Sequence, residues 1–327
     1  MLIRFFKNNK PSSFILLPLF ALALRIIGFF PKQINSVNFN MPLYETMVKS
    51  LNQLPFIAAL IAAIFIISEA FLLNYIVNKN EILTKPSFLP ALFYIVFMSS
   101  DGALLSLHPL VFANFFVLLA INKLVSSYQK DKAFSNAFDA GIFFSISTLF
   151  YFPSIVFLPL AGIGFILFRP FNWREWIISF IGILVPYAFV FVYYFWNDLL
   201  AYWWNFNAFF PDLHEPSKSS LSKSFYLMLG ISFLIILFSL GKLFVGFPEA
   251  SQKNKKGILL FIWFSLFVLI SAFIVPEISI QSFSPLAIPV SVFCANYFLK
   301  IKKAWWGELL FLLLIISVFI NQIYYYF

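Results

Sequence analysis

Stretches of about 20 nearly uncharged apolar residues recur from one end of this chain to the other, each long enough as a helix to cross the roughly 30 Å of a bilayer's hydrocarbon core. In hydrocarbon every backbone N–H and C=O must be bonded internally, which leaves only helices or closed barrels. The stretches show no strict alternation and exceed the roughly 9–11 residues of a barrel strand. Charged residues make up 11% and hydrophobic ones 62%, whereas a globular surface draws on about 25% charged residues. The sequence therefore predicts an all-α polytopic transmembrane bundle forming one integral membrane domain over residues 1–327.

The predicted spans number about eleven at that crossing length, over residues 14–30, 55–77, 88–107, 109–125, 137–152, 154–168, 176–196, 225–244, 257–275, 285–299 and 306–325. The pair at 137–168 is short and meets at Tyr151-Phe152-Pro153, where proline requires a turn or re-satisfied backbone. Arg4, Lys7 and Lys10 precede the first stretch, and Ala21-Leu22-Ala23 has a small-x-small pattern. The apolar run nevertheless continues through Ile26, Ile27 and Phe30, so the segment reads as a signal anchor.

The net charge of +9 follows the loops. With the N-terminus inside and the C-terminus outside, seventeen Lys and Arg residues fall in cytoplasmic segments. Only Lys32, Lys49, Lys218 and Lys223 fall in outer ones, with Arg25 inside the first span. That is the positive-inside asymmetry, so the charge implies membrane lipids as partners and not nucleic acid. Cys294 is the lone cysteine, which leaves no internal disulfide, and His108 and His214 are too few for a multi-histidine metal site. No Walker loop, GxSxG, HExxH or dinucleotide fingerprint occurs, and no cofactor is implied.

Two outer loops exceed turn length, 31–54 and 197–224. In the first, Leu43, Met47 and Leu51 recur at helical spacing opposite Glu45 and Lys49, which predicts a short interfacial helix. The second carries Tyr202-Trp203-Trp204-Asn205-Phe206, suited to headgroup level or to gripping a lipid chain.

Ionisable groups within spans mark function by default. Arg25 and Asp101 both lie roughly 7–9 Å below the outer surface at 1.5 Å per residue, close enough in depth to pair. A polar face of Ser99, Asp101, Ser106 and His108 should then look into protein or water. Glu69, deep in a descending helix, is placed in the inner half, well away from the other two, as a hydrogen-bonded structural group or a proton-coupling one. Two readings of the outer cluster stay open. One is a structural Arg25–Asp101 ion pair; the other is an outward pocket roofed by Glu45, with Arg25 facing a phosphate.

The placement of the long outer loops after spans one and seven, and the stretch from Leu24-Arg25-Ile26 through Tyr44-Glu45-Thr46, resemble the GT-C class of polyprenyl-phosphate-dependent glycosyltransferases. The resemblance covers residues 14–245, with 246–327 as additional spans. It implies Glu45 as catalytic base and Arg25 as a lipid-phosphate contact; the buried polar face adds Asp101 as a second catalytic candidate and His108 as a substrate contact, and the aromatic run adds Tyr202, Trp203 and Trp204. A polyprenyl-phosphate lipid would be the substrate. The richness in Phe, Ile, Asn and Lys also resembles uncharacterised inner-membrane proteins of Bacteroidota, which implies a bacterial inner membrane and leaves open a non-catalytic subunit of an envelope complex. A lipid or solute transporter using Glu69 and Asp101 is the third reading.

Overall fold

Helices in this chain begin where proline permits them. Proline costs nothing in the first turn of a helix, where its missing N–H has no partner to lose. Pro55, Pro90, Pro109 and Pro159 each stand at such a start. The computed structural model describes residues 2–8, 10–30, 41–44, 54–100, 102–130, 132–199, 223–247, 250–274, 280–301 and 303–326. Among them there is no strand. The helices are α1 (Leu2–Lys7), α2 (Ser12–Leu24), α3 (Pro55–Lys79), α4 (Leu89–Met98), α5 (Pro109–Val125) and α6 (Phe134–Phe150). They continue with α7 (Leu158–Phe168), α8 (Trp173–Trp196), α9 (Lys223–Gly246), α10 (Gln252–Ile274), α11 (Ala287–Lys300) and α12 (Ala304–Tyr326).

Each predicted span has a helix, but they are not equal crossings. Among the described residues six segments are long and apolar enough to cross a membrane: Pro55–Lys79, Trp173–Trp196, Tyr226–Val245, Gln252–Ala272, Gln281–Lys300 and Trp305–Tyr324. Ser12–Leu24, Leu89–Met98, Pro109–Val125 and Phe152–Phe168 are shorter apolar helices. The shortening has a local cause. The first predicted span stops at Leu24 and continues past Arg25 as a 3-10 turn, Ile26–Phe29. The third stops at Met98, where Ser99, Ser100 and Gly102 replace strong helix formers, and resumes only as the 3-10 turn Gly102–Leu105. Phe152–Phe157 and Ile280–Leu286 are the corresponding 3-10 stretches before α7 and α11.

Burial separates centre from periphery. All of α4 except Phe97 is buried, and it packs against α3 and α11. Some 78% of the Gln281–Lys300 segment is buried, against 17% of Trp173–Trp196, so α11 is central and α8 presents its flank outward. The short α1 is a separate element that precedes the first predicted span. It buries Ile3 and Phe6, and its Phe6 carbonyl accepts from the Phe88 N–H at 2.9 Å, just ahead of α4.

The basic end of the bundle holds the last turns of α3, α5 and α11, with Lys79, Lys123 and Lys300. Lys123 pairs with Asp139 of α6 at 2.7 Å. Arg169 pairs with Glu175 of α8 at 2.9 Å and donates to the Ser127 and Lys130 carbonyls.

The helices α6 and α8 approach backbone to backbone. A Cβ on Gly141 would lie 2.2 Å from the Ser179 carbonyl oxygen, and one on Gly182 would lie 2.4 Å from that of Phe138. Small residues at such crossings are how membrane helices gain close packing when no hydrophobic force separates helix from lipid. Gly141→Val and Gly182→Val should each lower the detergent melting temperature, by an overpacking cost of about 1–3 kcal/mol. Gly230→Ala and Gly241→Ala, where a Cβ meets nothing within 4 Å, should leave it unchanged or raise it.

Candidate functional site

The end of α4 determines the site. Ten residues of helix rise about 15 Å, only half of the roughly 30 Å of hydrocarbon. Between Met98 and Pro109 the described backbone is irregular apart from one 3-10 turn. Such backbone survives at membrane depth only when protein or water satisfies it. Here distant side chains do so, one carbonyl at a time.

Arg25, at the C-cap of α2 and only 1% exposed, donates from Nη1 to the Met98 carbonyl at 3.3 Å. Its Nη2 donates to Leu104 at 2.8 Å and Leu105 at 3.0 Å. From α12, Gln322 donates to the Ser99 carbonyl and Asn321 to that of Ser100 at 2.8 Å. The Tyr44 hydroxyl donates to Leu107 at 3.2 Å. A guanidinium suits this task because its planar fork presents several donors at once. Its positive charge also faces the negative end of the α4 dipole. Gly28 permits the approach, since a Cβ there would lie 2.8 Å from that of Leu105.

His108 closes the break. Its Nδ1 accepts from the Leu110 N–H at 3.2 Å, which caps α5. Gln281, in the 3-10 stretch before α11, is a further hydrogen-bond partner of the ring. Tyr151, at the start of the Phe152–Phe157 stretch, meets Ser282 at 3.4 Å. Three interrupted helix pairs thus converge at the end opposite the basic one. A small apolar cluster there includes Met41, Tyr44, Leu107, Leu110, Phe150 and Tyr151.

Of the residues singled out from the sequence, Arg25 and His108 belong to this junction. Glu45, Asp101, Tyr202, Trp203 and Trp204 lie outside the described residues, as do His214 and nearly all of the two long loops. Their neighbours on the chain are nonetheless informative. The residue before Glu45, Tyr44, is tied to Leu107, and both flanks of Asp101 are gripped by Arg25 and Asn321. Of the interfacial helix predicted over the first loop, residues 42–44 are described and helical.

Glu69 requires a correction. It does not stand well away from Arg25. Its Oε2 accepts from the Tyr94 hydroxyl at 2.9 Å, one turn before Met98 on α4, and the Arg25 charge acts on it. The depth estimate counted Arg25 along an unbroken first span, whereas α2 ends at Leu24 and the chain continues as a 3-10 turn. Asn321, Gln322 and Tyr94 were not singled out from the sequence, although an Asn-Gln pair inside an apolar run is a signal of buried polar function. Among the described residues no group of three His, Cys, Asp or Glu side chains could hold a metal ion.

Removing one guanidinium orphans several buried carbonyls at once. Arg25→Met should therefore lower the detergent melting temperature more than Gln322→Leu, and Arg25→Lys should rescue little, since an ammonium lacks the fork.

The whole chain, residues 1–327, matches the family described as "Family of unknown function (DUF6427)". No curated protein and no solved structure matches it. The likenesses to the GT-C class and to Bacteroidota proteins accordingly rest on layout and composition alone. By a match over its full length, the chain belongs to that family of unknown function.

Proposed function

We propose that this member of the family is a multi-pass protein of the bacterial inner membrane that transfers a sugar from a polyprenyl-phosphate lipid at the outer face. One observation carries the reading. The chain close to both candidate acids, Tyr44 beside Glu45, and Ser100 and Leu104 on either side of Asp101, is fastened to the same buried break between α4 and α5. In this mechanism Glu45 takes the proton of the acceptor hydroxyl as its oxygen bonds to the sugar's anomeric carbon. The bond from that carbon to the phosphate oxygen breaks, and the lipid phosphate leaves. Asp101 orients the acceptor, and Tyr202, Trp203 and Trp204 hold the lipid chain at headgroup level. The role of Arg25 shifts from phosphate contact to positioning residue, because its guanidinium donates to the backbone carbonyls of Met98, Leu104 and Leu105.

The reading includes eleven crossings with the N-terminus inside and the C-terminus outside, the shorter helices completing their passage through the 3-10 stretches. Its support is the lysine and arginine asymmetry and the gathering of Lys79, Lys123 and Lys300 at one end. In a Cys294→Ser background, Ser36→Cys and Ser219→Cys should react with an impermeant thiol reagent on intact cells, and Ser251→Cys only after permeabilisation. Reaction of Ser251→Cys on intact cells would invert the topology.

A non-catalytic envelope subunit is the second reading, favoured by the use of Arg25, His108, Asn321 and Gln322 in bonding the chain's own backbone. Purification from native membranes in mild detergent separates the two. A co-purifying polyprenyl phosphate supports the transferase, and a stoichiometric protein partner supports the subunit. Glu45→Gln and Asp101→Asn should abolish transfer in reconstituted vesicles while the protein still inserts and melts normally. Wild-type turnover by both would sink the transferase reading.

A further inference from the structure

One turn before Met98, three helices bring three buried polar side chains to a single hydroxyl. Glu69 of α3, Tyr94 of α4 and Asn114 of α5 are 0%, 0% and 1% exposed. The Tyr94 hydroxyl donates to Glu69 Oε2 at 2.9 Å and also faces the Asn114 amide. Glu69 Oε1 and both polar atoms of Asn114 have no hydrogen-bond partner within bonding distance. Buried polar atoms without partners are rare in folded proteins, and each implies strain, a functional role or a bound ligand.

We propose that Glu69, Tyr94 and Asn114 form an intramembrane proton-binding site, with Glu69 Oε1 taking up and releasing the proton. A lone carboxylate in hydrocarbon is far costlier than an unbonded amide, and a proton removes that charge with no further ligand. A hard metal ion would want about six oxygens, whereas three side chains converge here. The Asn114 amide offers both a donor and an acceptor, so it can serve the Tyr94 hydroxyl whether that hydroxyl donates to Glu69 or accepts from it.

The charged groups around the site fit this assignment. From α2, Arg25 acts on Glu69 electrostatically but donates to the carbonyls of the break. On α5, Lys123 is at the basic end, paired with Asp139. On α3 itself, Lys79 is also at the basic end, bonded to the Tyr75 hydroxyl. The 3-10 turns Ile26–Phe29 and Gly102–Leu105, which also pack on α3, carry no ionisable residue, and Asp101 lies outside the described residues.

The test treats the wild-type chain, purified and reconstituted, with the apolar reagent dicyclohexylcarbodiimide, followed by peptide mass spectrometry. The carboxyl proton passes to a carbodiimide nitrogen, and the carboxylate oxygen bonds to the central carbon. An acyl shift then leaves an N-acylurea on the side chain with no atom lost. Glu69 should be modified at neutral pH, less so as pH rises, and Tyr94→Phe should shift that pH profile. Glu175, equally buried but paired with Arg169, should stay unmodified. A folded protein whose Glu69 is unmodified from mildly acidic to mildly alkaline pH would overturn the proposal. So would protection of Glu69 by sodium chloride but not by choline chloride, which would assign the site to a metal cation. No sugar substrate enters the experiment, so either result leaves the transferase reading to its own tests.

Discussion

Much of the described structure turns on the unpaired carbonyls at the end of α4. A ten-residue helix that stops inside the buried core exposes carbonyl oxygens away from water, and each unmet group costs several kcal/mol. The chain meets that cost by bringing α2 and α12 to the same place, so that Arg25, Asn321 and Gln322 can reach the carbonyls of Met98, Ser99 and Ser100. These contacts fasten α2 and α12 to the end of α4, whose flanks pack against α3 and α11. Its near-complete burial follows, because a broken helix facing lipid would be untenable.

The two ends of the bundle solve different problems. At the basic end, Lys123–Asp139 and Arg169–Glu175 pair charges where snorkelling side chains can reach water. Around the break at the opposite end, the described groups that bond the backbone are amides, a hydroxyl and a histidine, with one guanidinium. Irregular backbone gathers there as well, in the 3-10 stretches beside His108, Tyr151 and Ser282. A membrane protein places such segments where they can be buried in protein or can line a cavity. Rigid ordering of the break also gives any side chain borne on it a fixed position, which a site built on residue 101 would require.

The sequence disclosed part of this junction. Arg25 stood out as an ionisable residue in an apolar run, and so did Glu69. Histidine before proline at His108-Pro109 is a legible helix start, since an imidazole acceptor can cap the first turn. The partners were less visible. Tyr94 and Tyr44 are ordinary aromatic residues of membrane helices and interfaces, and only a neighbour's position gives their hydroxyls a task. Glu69 was placed far from Arg25 because residue counting treats α2 and its 3-10 continuation as one straight rod.

By itself the sequence determined that the chain is helical, that its long apolar segments suit a membrane, and that its cations favour one end. Those properties depend on local composition and on the absolute need to satisfy backbone in lipid. Tertiary structure alone decided where the helices break and what satisfies the broken ends. The bond from Gln322 to Ser99 joins residues 223 apart, and that from Arg25 to Leu105 joins residues 80 apart. No local pattern encodes such pairs, because a carbonyl has the same chemistry at every residue, and only packing selects the one that a side chain will reach.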